Sequence, residues 1–332
     1  MTTTSATTTI MLMTTLPAFD FVRTTPLVFA PPLNCWLKLE SLQATGSFKL
    51  RGAALKLSRM DAAARARGVV TASAGNHGQG LALAASRLGV RATVIVPTLC
   101  PAVKRDGIAR WGAEVIVEGA RYDESHERAL ALAAERGVPY VSAYDDDDII
   151  AGNGEWLGRE IRAQHASVSR VIVPVGGGGL VAGLLRAFDE RVEDDRAEDD
   201  RAAGGGDVAV VGVQPRVNCA MHESLAQGRA LVDYVGESTI CEGLEGATAE
   251  RTFHIVQAHQ MPVALVDDAD TLAAVGFAYR ALGLVVEPSA AVGLAAARTG
   301  AVATDEDTVI VVTGGNIDPA LLDRAIAAYD RK

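Results

Sequence analysis

Lys49 lies in Thr45-Gly46-Ser47-Phe48-Lys49-Leu50-Arg51-Gly52-Ala53, at the predicted start of a helix. A cation is disfavoured there by the helix dipole. Of the 31 basic residues only Lys38, Lys49, Lys56, Lys104 and Lys332 are lysines, so a lysine inside a motif carries information. It is either an ordinary surface lysine or a desolvated amine suited to nucleophilic and Schiff-base chemistry.

Three glycine-bearing segments follow predicted strands. Ser73-Ala74-Gly75-Asn76-His77-Gly78 follows Val69-Val70-Thr71-Ala72 and opens a helix. Backbone N–H groups at such a start bind a carboxylate or phosphate. The alternative is a turn capped by Ser73 or Asn76. Gly176-Gly177-Gly178-Gly179-Leu180 follows Val171-Ile172-Val173-Pro174-Val175. Consecutive glycines cost backbone entropy, and an ordinary turn needs fewer. They point to a backbone wrapped around a phosphate at the start of the next helix. No Lys-Ser/Thr pair follows, and the run does not match G-x-G-x-x-G with an acid on the next strand. Thr313-Gly314-Gly315-Asn316 follows Val309-Ile310-Val311-Val312. It either offers a hydroxyl to the crevice at the carboxyl ends of parallel strands or is a simple turn.

A phosphate cradle, a reactive lysine and a polar partner for a ring together describe pyridoxal phosphate. S-F-K-L-R-G-A, S-A-G-N-H-G-Q-G, G-G-G-G-L and T-G-G-N occur in the order and spacing of fold-type II pyridoxal-phosphate enzymes. The chain resembles in particular their serine/threonine dehydratase (threonine ammonia-lyase) group, from about Thr24-Thr25-Pro26-Leu27 to Asn316. The resemblance implies that Lys49, with Phe48 beside it, holds the cofactor covalently and, once freed, removes the substrate α-proton. Asn76 would bond the phenolic oxygen of the cofactor. Gly176, Gly177, Gly178, Gly179 and Leu180 would cradle its phosphate, and Thr313 would face the pyridine nitrogen. Glu287, in Glu287-Pro288-Ser289-Ala290, would lie near the ring. Ser73, Ala74, Gly75, Asn76 and His77 would surround the substrate carboxylate.

The implied reaction is β-elimination from L-threonine, L-serine or a related β-hydroxy amino acid, giving a 2-oxo acid and ammonia. A β-replacement synthase of the cysteine or cystathionine type usually shows T-S-G-N-T-G and G-T-G-G-T instead. A racemase needs a second acid/base, commonly a serine where this chain has Ala74. A non-catalytic ligand sensor on the same fold is the remaining rival. Four segments depart from the group. Ala151-Gly152-Asn153-Gly154-Glu155 replaces A-G-Q-G-T, so the region near the substrate side chain is expected to differ. Gln214 and Ala220 stand at the anionic ligands of a cation site, so no metal is expected. Thr313 replaces serine, and Cys241-Glu242-Gly243 replaces A-D-G, where the acids Glu242 and Glu245 line the pocket or cap a helix.

The positioning elements alternate. Strands are expected at 36–39, 69–72, 92–96, 114–117, 140–142, 171–175, 208–213, 263–266 and 309–313. Between them lie helical patterns. In His77 to Leu88, residues Leu81, Ala84, Ala85 and Leu88 share one face. Repeated β-α-β units give an α/β fold, here two open, mostly parallel twisted sheets covered by helices, as in the tryptophan synthase β-subunit. The larger cofactor-binding domain is expected from 20–51 and 149–332, the smaller from 52–148. Residues 1–19 read as a loosely ordered tail. Asp189 to Asp207 is Asp/Glu/Arg/Ala-rich and ends in three glycines, a flexible acidic insertion. Asp145 to Asp148 reads as a solvated loop or a helix start.

Composition agrees with an enzyme acting on small molecules. The 332 residues are 49% hydrophobic and 22% charged, enough for an extensive core. A net charge of −10 argues against a nucleic-acid or anionic-membrane partner. Cys35, Cys100, Cys219 and Cys241 form no C-x-x-C pair, so reduced thiols in a cytoplasmic protein are expected. Cys219 and His222 alone do not make a metal site. No segment reads as a signal peptide or membrane span, and no regulatory domain is expected after Asn316. The resemblance implies a homodimer.

Overall fold

A computed structural model of the chain describes residues 19–189 and 207–331. The expected tail at 1–19 and the acidic insertion at 189–207 lie, but for their edge residues, outside it. Two sheets organise the described residues. The larger has the order β1-β2-β9-β6-β7-β8, from Leu27–Ala30, Cys35–Leu39, Thr308–Val312, Arg170–Pro174, Ala209–Pro215 and Val263–Val266. The smaller is β3-β4-β5, from Val69–Ala72, Ala92–Val96 and Glu114–Val117. Every ladder is parallel except β1 against β2.

Helices cover both faces of the larger sheet, which is why its strands are continuous apolar runs. Ile310 and Val312 point to one face, against Val275, Ala291 and Leu294. Val309 and Val311 point to the other, against Leu184, Phe188 and Phe253. This is the two-residue period of a strand. Each buried Val or Leu contributes about 1.5–3 kcal/mol.

Two expectations about elements are corrected. Residues 140–142 form a single bridge, Val70 to Tyr140, rather than a strand. Pro139 O accepts from Val70 N and Val141 N donates to Val70 O, but Ser142 Oγ then accepts from Tyr144 N and Asp145 N and turns the chain away. The helix Asn76–Leu88 is buried on nearly every side, not along one stripe. A Cβ at Gly80 would lie 2.9 Å from Leu50 N and 3.1 Å from Lys49 O, so this helix rests directly on the backbone at Lys49. The strand β1 gave no sequence signal, being a short edge with Val28 and Phe29 exposed.

The aspartate run is a helix start. Asp146 caps Asp147–Ile150 by accepting from Asp148 N and Ile149 N. The run is also paired, through Lys56, Arg59, Arg186 and Arg251.

Candidate active site

The four motifs leave the carboxyl ends of β2, β3, β6 and β9, where open parallel sheets bind ligands. The lysine loop and the Thr313 loop are stitched together. Phe48 N donates to Thr313 O, Gly315 N donates to Gly46 O, and Asn316 Nδ2 donates to Thr45 O. Gly46 has φ +74, and a Cβ there would lie 2.6 Å from Asn316 Oδ1. Glycine is therefore required at Gly46 on both counts.

Lys49 is the first residue of the helix Lys49–Arg59. Its Nζ donates to Ala143 O at 2.9 Å and lies 5.1 Å from the centre of the Phe48 ring. Burial pushes the ammonium down to about 8, while the charge of Glu287 pulls the other way. A neutral amine is thus accessible near physiological pH, as nucleophilic chemistry requires.

Asn76 Nδ2 donates to Glu287 Oε1 at 2.6 Å, and Asn316 Nδ2 donates to Asn76 Oδ1 at 2.7 Å. Glu287 N donates to Gly314 O, and a Cβ at Gly314 would strike Glu287 Oε1. Burial, with Glu242 adding a like charge, raises the Glu287 carboxyl to about 7 against the bond from Asn76 and the charges of Lys104 and Lys49. Glu242 pairs with Lys104, from the helix Ala102–Ala109. Glu245 instead accepts from Thr239 N.

Gly176 to Leu180 leads from β6 into the helix Gly179–Phe188, with Gly178 at φ +94. A Cβ at Gly177 would lie 2.6 Å from the Tyr144 ring, and one at Gly179 would lie 2.8 Å from Tyr144 O. Thr252 Oγ1 donates to Gly177 O. Tyr144 directly follows Ala143, the partner of Lys49, so one dipeptide bridges the lysine and the glycine loop. Tyr144 was missed in the sequence, where it stands among aspartates outside any glycine motif. Leu180 contributes its helix-start backbone, its side chain being buried with Val181 and Leu184.

The segment Ser73 to His77 turns from β3 into the helix Asn76–Leu88. Ser73 Oγ accepts from Gly75 N, and Gly75 is open to solvent. Neither Ser73 nor Asn76 caps the helix, whose N-cap is Gly75. Ala74 packs against the apolar cluster of Ala82, Val94 and Ile108. The His77 imidazole turns inward, Nε2 facing Val141 O at 3.2 Å. Burial, helped by the Lys49 charge, lowers it to about 3, so it stays neutral at working pH.

Other polar expectations are placed away from the cleft chemistry. Asn153 is buried, and its Oδ1 accepts from Gly52 N. Gln214 Nε2 donates to Val175 O and its Oε1 accepts from His222 N. All four cysteines are buried free thiols, and no cluster of metal-binding side chains occurs among the described residues. No helix among those residues is long and apolar enough to cross a membrane.

Residues 18–314 match the family described as Pyridoxal-phosphate dependent enzyme. The chain belongs to that family. It is 37% identical to the L-threonine ammonia-lyase of Thermotoga maritima over 88% of this chain and 69% of that enzyme. Its fold is similar to a processed threonine deaminase isoform 2 of Solanum lycopersicum, with TM-score 0.82, 30% identity and coverage of 93% and 89%. It is also similar to a serine racemase of Dictyostelium discoideum, with TM-score 0.79, 28% identity and coverage of 90% and 94%. The family's cofactor is pyridoxal 5'-phosphate, and the polar groups here suit it. Ser47 Oγ and Thr45 Oγ1, in the lysine loop, are buried without a partner in the protein. Such groups cost about 1–3 kcal/mol each unless a ligand meets them.

Proposed function

We propose that this family member carries out β-elimination on L-threonine, L-serine or a related β-hydroxy amino acid. The net reaction gives a 2-oxo acid and ammonium, the water lost from the β-carbon being regained on hydrolysis. The observation that carries the reading is the desolvated Lys49 amine, held at Ala143 O within the ring of motifs. When bound, pyridoxal phosphate supplies the electron sink for the carbon that loses its proton.

The chain's own residues divide the remaining work. Lys49 attaches the cofactor and, as a free amine, takes the α-proton. Phe48 flanks the ring, and Asn76, poised by Glu287 and Asn316, orients it. Gly176, Gly177, Gly178 and Gly179, with the N–H of Leu180, hold the phosphate at a helix start. Thr313, a neutral hydroxyl, would meet the ring nitrogen and would leave it unprotonated, which favours prompt elimination. Ser73, Ala74, Gly75 and Asn76 take the substrate carboxylate, and His77 supports their loop from behind.

We read the chain as two lobes, 20–51 with 149–332 and 52–148, because each sheet falls wholly within one of them. We also read it as a cytoplasmic homodimer. The thiols are reduced, and dimers are implied by the resembling enzymes. A panel of amino acids incubated with the purified protein tests the function. L-threonine or L-serine should release ammonia and a 2-oxo acid in equal amounts. Turnover of O-acetylserine with a thiol, without release of 2-oxo acid, would replace this reading by a β-replacement synthase.

A further inference from the structure

The segment Ala151–Glu155 is a π-helical turn between the helices Asp147–Ile150 and Trp156–Gln164. Such turns are rare and recur at functional sites. Its first four residues are buried, yet none of the groups given a part in the chemistry above belongs to it.

The turn touches two elements at once, and the contact is backbone on backbone. On one side Asn153 Oδ1 accepts from Gly52 N at 2.9 Å, inside the first turn of the lysine helix. That helix has no side-chain cap of its own. A Cβ at Gly152 would lie 2.6 Å from Gly52 Cα and 2.7 Å from Arg51 O. On the other side a Cβ at Gly154 would strike Leu180 O and lie 2.5 Å from Gly183 Cα. A Cβ at Gly183 would in turn strike Ile150 O and lie 2.6 Å from Gly154 Cα. Gly52, Gly152, Gly154 and Gly183 thus remove every side chain that would separate the three helices. One of the three begins with Lys49 and another begins with the Gly176–Gly179 loop.

We propose that Asn153 and this glycine-lined turn are a positioning device that holds the Lys49 amine in register with the glycine loop. Asn153 acts as a remote cap. An unpaired N–H at a buried helix start is costly, and a side chain that meets it from another element fixes that start in space. The lysine helix then cannot slide or rotate against the loop without breaking the bond to Gly52 and opening a close-packed seam. Reaction geometry tolerates little such movement, since a misplacement of about 1 Å costs on the order of 100-fold.

The inference rests on the cofactor reading above, and its test separates the two. Pyridoxamine 5'-phosphate has the ring and phosphate of the cofactor but no aldehyde, so it reports the glycine loop without the lysine. Asn153→Ala, with Asn153→Gln as the conservative control, is compared with the parent protein for binding of pyridoxamine phosphate, thermal midpoint and borohydride-fixed attachment of pyridoxal phosphate to Lys49. Asn153→Ala should bind pyridoxamine phosphate within about 3-fold of the parent but attach pyridoxal phosphate about 10-fold less well, the scale of one buried hydrogen bond to a placed group. Asn153→Gln should recover most of that loss. Equal attachment by Asn153→Ala and parent overturns the positioning role and leaves the cofactor reading standing. Equal losses of both ligands together with a lowered midpoint show a merely structural residue and overturn it too. A parent protein with no label on Lys49 sinks the cofactor reading and the inference with it.

Discussion

The Asn76 amide donates to the Glu287 carboxylate at 2.6 Å, joining the first residue of the helix Asn76–Leu88 to the N-cap of the helix Pro288–Thr299. The first helix follows β3 of the smaller sheet, while the second packs on the larger. The bond therefore spans the two sheets beside Lys49, and the protonation of Glu287 governs a contact between them.

That protonation gives the first prediction. Glu287 holds its proton to about 7 in the folded chain, above the ordinary 4.5. The folded state then binds more protons than the unfolded one between these values, so stability falls as pH rises through that window. Glu287→Gln mimics the protonated form and should lack this loss. In calorimetry on the cofactor-free protein the variant should match the parent near pH 4.5 and exceed it above pH 7, by on the order of 1–2 kcal/mol. Parallel curves for the two proteins would mean that Glu287 titrates as an ordinary surface acid.

Covalent attachment should occur at Lys49. The protein loaded with pyridoxal phosphate should absorb near ~410–420 nm, and borohydride should fix the label to a single peptide. Lys49→Ala should abolish the label and lower turnover by about 10²–10⁴-fold. A label found on Lys38 or Lys56 by mass spectrometry would refute the assignment. Lys38 is a poor alternative, since it is fully buried in bonds to Thr25 O, Glu160 and Gln164.

Activity should survive chelation. A hard cation wants several anionic or carbonyl oxygens. Here the Gln214 amide occupies Val175 O with its nitrogen and His222 N with its oxygen. EDTA should change the rate by less than about 2-fold, because no carboxylate is available to hold a divalent ion there. A large loss restored by Mg²⁺ or Ca²⁺ would place a cation site elsewhere in the protein.

Elimination should outrun racemisation. Adding a proton to the second face of the reacting carbon needs an acid within about 3 Å, and the Ala74 methyl offers none. The neighbouring His77 is turned to Val141 O and remains neutral, so it is no substitute. With L-serine, chiral chromatography should show pyruvate forming much faster than D-serine. Ala74→Ser should raise the D-isomer relative to pyruvate while cofactor loading stays intact. Comparable rates in the unmodified protein would favour a racemase.

Lys49, the glycine run and Thr313-Gly314-Gly315-Asn316 are legible in the chain because each is a local exception. A lysine at a helix start and consecutive glycines contradict the propensity of their surroundings, and a hydroxyl followed by two glycines marks the end of an apolar strand. Alternation of apolar strands with helical patterns likewise announces the two covered sheets, since burial on both faces forces continuous Val and Ile runs. What stayed hidden depends on partners distant in sequence. Tyr144 matters through Gly177 and Gly179, while Glu287 and Asn153 stand in motifs the sequence marks but have partners, Asn76 and Gly52, that it does not, each pair separated by dozens to hundreds of residues. His77 belongs to the expected motif, yet its ring lies in the interior because the helix it opens is enclosed by the small sheet and the lysine helix. Residue type and local period therefore decided which chemistry the chain carries. Only the packing of one backbone on another decided which side chains reach it, because that packing is set by contacts that no local window contains.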